Sequence, residues 1–177
     1  MKFITNSRAL SIALWLGAAC FFSFAVAPSA FGVLPSRELA GSIVSRTLSI
    51  LNFSGMAIGV LLLLTTLVKR LDIRPLWLWT ERFLLLIMTA ACAVGQFVIG
   101  LWLSMLRAQM GKPIDEIPVE DPLRIQFNNL HNYSVWVLVA AMVAALIVFF
   151  IMSGKSFNGS PKKDASKPFD FPNEFIN

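Results

Sequence analysis

Charge is missing from four long stretches of this chain, and that absence constrains the fold more than any motif does. No Asp, Glu, Lys or Arg occurs between Arg8 and Arg37, between Arg46 and Lys69, between Arg82 and Arg107, or between Arg124 and Lys155. Each stretch is long and apolar enough for a helix to cross the hydrocarbon layer, which takes roughly 20 residues. A soluble domain carries about 25% charged residues. Here 14% are charged and 56% are hydrophobic. The expected fold is all-α, an integral membrane four-helix bundle with spans at about 9–31, 41–68, 83–106 and 132–152. These make up a 1–152 transmembrane domain, and the lysine-, proline- and glycine-containing 153–177 tail is expected to be disordered.

The net charge of +5 is distributed as in a membrane protein rather than a nucleic-acid binder, so no nucleic-acid partner is expected. With four spans, Lys2, Arg8, Lys69, Arg70, Arg74, Arg82, Lys155, Lys162, Lys163 and Lys167 share one side. Arg37, Arg46, Arg107, Lys112 and Arg124 fall on the other, beside Glu38, Asp115, Glu116, Glu120 and Asp121. The richer side faces the cytoplasm by the positive-inside rule. Both termini are therefore expected there, with the chain in the cell (inner) membrane. Lys2 and Arg8 followed by an apolar run and Ala25-Val26-Ala27 also resemble a signal peptide. The run exceeds the usual apolar core of about 7–15 residues, and Pro28 would follow the cut, so the segment is read as a retained span. The tail lysines are expected to touch anionic lipid.

Small residues suggest where helices meet. Ala13, Gly17, Cys20, Phe24 and Ala27 recur at helical spacing in the first span, and Gly55 and Gly59 form a GxxxG pair in the second. Such residues let helix backbones approach in lipid. Contact within the monomer is the plainer reading of Gly55/Gly59; a homodimer or membrane partner is the other. Gly95 is the corresponding packing residue in the third span, next to Gln96. Asn52 and Gln96 are intramembrane polar side chains, expected to point into the bundle as structural hydrogen-bonding groups or, on the sharper reading, to line a solute path. Glu81 and Arg82 read as an interfacial salt bridge or headgroup contact. Trp77 and Trp79 read as interfacial anchors. Pro28 is expected to end or kink the first helix. Asp121-Pro122 makes a good helix start, for a helix reaching about Met152, roughly 45 Å.

His131 is the one histidine, in QFNNLHNYS at the loop end of span four. Helical spacing aligns Arg124, Asn128, His131 and Ser134, while Arg46 and Arg107 lie at the same end of their spans. A ligand site of His131, Asn128, Arg46, Arg107 and Ser134 opening outward is the leading site expectation, against a histidine satisfied by neighbours and water. One imidazole does not supply the axial pairs of a membrane b-type cytochrome, nor are there three ligands spaced for catalytic zinc. No catalytic residues are identified, and neither a cofactor nor a bound metal is expected. Cu(I), through Cys20, Cys92, Met56, Met88 and Met142, and haem shared between protomers are the lesser alternatives.

Two segments carry a family resemblance, and a third supports it. Trp15–Phe31, WLGAACFFSFAVAPSAF, resembles the first span of the transmembrane protein 205-like family, an apolar helix ending in Pro-x-x-Phe, here Pro28 and Phe31. AGSIVSR resembles that family's Ala-Gly helix start. FNNLHNYS resembles its Phe-x-x-Leu-His-x-x-Ser element, here Phe127, Leu130, His131 and Ser134. The resemblance implies a small four-helix membrane protein of uncharacterised biochemistry. The functional expectation is non-enzymatic: a bundle handling a small solute or metal through an outward polar pocket. The competing expectation is a scaffold or accessory subunit packing through its GxxxG helix.

Overall fold

Each apolar stretch forms a helix, and the second and fourth spans start at a side-chain cap. A computed structural model describes residues 2–68 and 75–157, with side chains from 6–66 and 76–154. The first span is α1 (Lys2–Phe21), a π-helical turn (Phe22–Val26) and α2 (Ala27–Val33). The second is α3 (Arg37–Val68). The third is α4 (Pro75–Ala93), a π-helical segment (Val94–Gly100) and α5 (Leu101–Met110). A short 3-10 turn (Ile114–Glu116) precedes α6 (Pro122–Phe157), the fourth span. Ser36 Oγ accepts the Leu39 N–H at 3.2 Å and caps α3. Asp121 accepts the Leu123 N–H at 2.8 Å, so the expected Asp-Pro start is the observed one. Gly111 closes α5 in the left-handed conformation, φ 61°, where a Cβ would be strained.

Pro28 does not end the first helix. It follows a wider turn in which the Ala27 N–H reaches back to the Phe22 carbonyl. Proline has no N–H to give the carbonyl four residues earlier, and the π turn carries the chain past that gap until Val33. The helices are longer than the sequence expectation: apolar helical spans cover Asn6–Val33, Arg37–Thr66, Leu76–Met110 and Pro122–Gly154. The last helix continues to Phe157, so the first residues assigned to the tail are helical. The remainder of that tail, the loop cations Lys69, Arg70 and Arg74, and the side chains of Lys155, Lys162, Lys163 and Lys167 lie outside the described residues.

The spans run up and down in sequence, with the first also packed on the fourth. The interior stripe repeats at helical spacing: Ile12, Trp15, Ala19 and Phe22 on span one, then Leu85, Met88 and Cys92 on α4. Ala141, Ala144, Ala145 and Val148 supply it from α6. This corrects the first-span stripe expected from small residues. Gly17 and Phe24 are exposed, with open space over Gly17, because the large apolar side chains of the adjacent stripe fill the bundle centre. In the most apolar window of each span only 22–33% of residues are buried. A face that apolar and that open suits lipid, not water.

Gly55 and Gly59 are turned inward. A Cβ on Gly55 would come within 2.7 Å of both Cys92 Sγ and Trp15 Nε1, and one on Gly59 would overlap Thr89 Oγ1. The pair is thus used between spans one, two and three, the contact within the monomer that is the plainer reading of the sequence. Trp15 reinforces the same junction, its Nε1–H donating to the Leu51 carbonyl at 3.0 Å.

Candidate functional site

Polar side chains gather at the two ends of the bundle and at one level between them. At the end where α1 begins and α6 finishes, Arg8 of α1 donates to Glu81 of α4 at 2.6 Å. Their side chains are only 13% and 3% exposed, and Arg8 also approaches the Leu62 carbonyl at 3.4 Å. A guanidinium from one helix therefore meets a carboxylate and a carbonyl from two others. Arg82 turns instead to Thr66, donating to its carbonyl at 2.8 Å and its hydroxyl at 3.3 Å. The sequence pointed to an interfacial role for Glu81 and Arg82. The structure separates them and buries Glu81. Spacing within one span could not reveal that its partner lies near the chain start. Removing either partner of a buried pair leaves the other charge uncompensated, so this cluster reads as the fastening of that end.

At mid-depth Asn52 is 5% exposed and points inward as expected. Its amide lies against Gly95, where a Cβ would sit 3.2 Å from Asn52 Nδ2. Gly95 belongs to the π-helical segment that also carries Gln96, which is half-buried. Phe53 and Phe97 meet edge to face at 5.9 Å beside this level. Thus Gly95 packs closely as expected, against a side chain rather than a helix backbone.

The loop end centres on Arg107, in the last turn of α5. Its Nη1 donates to Ser45 Oγ of α3 at 3.3 Å. Its guanidinium carbon stands 5.3 Å from the centroid of the Phe127 ring of α6. Gly41 makes room for it: a Cβ there would lie 3.3 Å from Arg107 Nη2. The guanidinium thus bridges spans two, three and four. Glu38 and His131 lie within its electrostatic reach. Among the described residues, however, the ion pairs formed are Arg8–Glu81 and Arg37–Asp115, and no carboxylate reaches ion-pair distance of Arg107.

The expected site is brought together in part. Arg107 sits at its centre, with His131 one helical turn from Phe127 on the same helix. Leu130 and Ser134 are buried, whereas His131, Asn128 and Arg46 remain exposed. Arg46 follows Ser45 in sequence but leaves α3 in a different direction. Arg124 donates to the Ile117 carbonyl and so holds the preceding loop rather than the site. Pro28 and Phe31 are exposed and take no part in it. Ser45, Gly41 and Phe127 were not expected as contacts of Arg107. Ser45 and Gly41 share a helix face at a spacing of four, the one signal that could have grouped them.

The loop from Arg107 to Asp121 folds onto α3 rather than standing free. Ile117 is buried, and Asp115 pairs with Arg37 at 3.4 Å while both stay open to solvent. A polar cavity of about 230 Å³ lies under it, lined by Met110, Lys112, Glu116, Ile117, Pro118, Asp121 and Leu123. Arg107, Gly41, Ser45 and Phe127 are not among its lining residues. Among the described residues no group of three or more His, Cys, Asp or Glu side chains is placed to hold a metal ion.

A family described as Domain of unknown function (DUF4149) matches residues 10–112, more than half of the 177 residues. The chain belongs to that family. The DUF4149 region takes in the first three spans, Gly55, Gly59, Asn52, Gly95 and Arg107; Phe127 and His131 lie beyond it. No curated protein and no solved structure matches the chain.

Proposed function

We propose that this DUF4149 protein is a non-enzymatic, multi-pass membrane protein that holds a small polar solute in the groove at its loop end. The observation that carries the reading is Arg107, set between three spans over Gly41 and Phe127 with no carboxylate at ion-pair distance among the described residues. A charged group near a membrane span is costly unless it is paired, bonded or functional. Arg107 is exposed, with a weak hydroxyl contact and an aromatic face, which leaves N–H donors for a ligand. The proposal includes the orientation derived from positive charge, which puts this groove on the outer face of the cell membrane. It also includes the resemblance to the transmembrane protein 205-like family. A scaffold packing through Gly55 and Gly59 is the weaker reading, since both glycines face Trp15, Cys92 and Thr89 of the same chain.

Native mass spectrometry and metal analysis on gently extracted protein test the proposal, beside Arg107→Gln and His131→Ala. The expected result is a bound small molecule in the wild type, lost from Arg107→Gln and diminished in His131→Ala. Identical, empty spectra for all three would remove the loop-end groove as a ligand site.

A further inference from the structure

Resting on that reading, we infer that the Arg107 groove recognises a phosphate group, presented by a lipid headgroup or by a small soluble phosphate. Three features narrow the ligand to this chemistry. The first is the donor set. A guanidinium presents N–H donors in a fixed plane, matched to the oxygens of a phosphate or carboxylate. With the cation over Phe127, the face is occupied and the edge is left to bind. Ser45 Oγ, 3.3 Å from Nη1, adds a hydroxyl beside that edge. His131, exposed one helical turn beyond Phe127 on α6, adds an imidazole hydrogen-bonding group at the same end.

The second feature is depth. Arg107 lies in the last turn of α5, Gly41 and Ser45 near the start of α3, and Phe127 near the start of α6. All stand where the apolar spans reach their loops, the level of lipid phosphates. The third is the opening itself. Gly41 is buried and lacks the Cβ that would come within 3.3 Å of Arg107 Nη2, so the guanidinium lies against α3 while the side chain stays exposed to a ligand. Glu38 is within electrostatic reach of Arg107, but among the described residues it forms no ion pair with the guanidinium.

The test uses the full chain in nanodiscs of two compositions, one containing phosphatidylglycerol and one made of a phosphate-free galactolipid. Inorganic phosphate is added to the second. The proteins are wild type, Arg107→Gln, Arg107→Lys and Gly41→Leu. Retained phosphatidylglycerol by native mass spectrometry would identify a lipid headgroup. A phosphate-dependent rise in thermal stability in galactolipid would identify a soluble phosphate. The inference expects one of these, weakened ~10-fold or more by Arg107→Gln and less by Arg107→Lys, which keeps the charge but loses the planar fork. Gly41→Leu, which puts side-chain atoms where Arg107 Nη2 lies, should weaken it as well. Binding of acetate or a neutral polar solute in preference to phosphate, still dependent on Arg107, would overturn the phosphate assignment and leave the solute-handling proposal standing. Ligand binding indifferent to Arg107→Gln would overturn both.

Discussion

At the residue scale, the clearest distinction is between two kinds of glycine. Gly59 has Thr89 Oγ1 where its Cβ would be, while Gly17 has nothing within 4 Å. Gly59→Ala should therefore destabilise the bundle by about 1–3 kcal/mol through overpacking, and Gly17→Ala by less than about 0.5 kcal/mol. Unfolding followed by tryptophan fluorescence checks both, and equal effects would contradict the packing described. The Arg8–Glu81 pair makes a second prediction. Glu81→Gln leaves the buried Arg8 charge without its carboxylate and should cost about 3–5 kcal/mol. The double substitution Arg8→Met with Glu81→Leu should recover most of that loss, since both charges then leave the interior together. A double-mutant cycle showing additive costs would mean that the two side chains do not act as a pair. The sequence showed that Glu81 lay near an interface. It could not show Arg8 as partner, because the two residues stand far apart in the chain and meet only when spans one and three close around the centre.

At the element scale, each π-helical segment sets the direction in which the next helix faces. A π turn inserts an extra residue into the regular helical repeat, so the helix beyond it is rotated by about 100° relative to a continuous α-helix. The segment Val94–Gly100 precedes α5, which carries Arg107. Deleting Val98 should restore a regular ladder and swing Arg107 away from Gly41 and Phe127. Cysteines placed at positions 45 and 107, in a background lacking Cys20 and Cys92, should be joined by a short bifunctional thiol cross-linker that spans the reach of the arginine side chain in the parent, and not after the deletion. Continued cross-linking would show that the π segment does not aim α5. These segments were not legible in the sequence. Pro28 signals a disturbed hydrogen-bond ladder, yet whether the chain breaks, kinks or widens there depends on packing. Val94–Gly100 contains no proline to give even that signal.

At the scale of the whole molecule, the four spans bring the start of α1 and the end of α6 to one face and Arg107, Phe127 and His131 to the other. The distribution of positive charge predicts which face is cytoplasmic. Reporters fused at the N-terminus and C-terminus should be active only inside the cell, and a reporter inserted at Val119, in the exposed loop, only outside. Opposite behaviour of the two termini would contradict the up-and-down arrangement, whereas a uniform inversion would overturn only the orientation and move the Arg107 groove to the cytoplasmic face.

The sequence by itself determined the number of spans, their approximate limits and the cap at Asp121. All three are set by local properties: an uncharged apolar run of sufficient length has one low-energy state in lipid, a helix with its backbone groups bonded internally. It also brought Arg107 and His131 to one end of the molecule, because span count alone fixes that. Only the tertiary structure decided which faces turn inward. It chose the Trp15 stripe over the Gly17 stripe and gave Gly55 and Gly59 to neighbours in the same chain. It left Asn128 and Arg46 outside while drawing Arg107 over Gly41. In a chain apolar on nearly every face, hydropathy does not distinguish lipid-facing from buried positions. That choice falls to the close fit of side chains between helices, which no single helix contains.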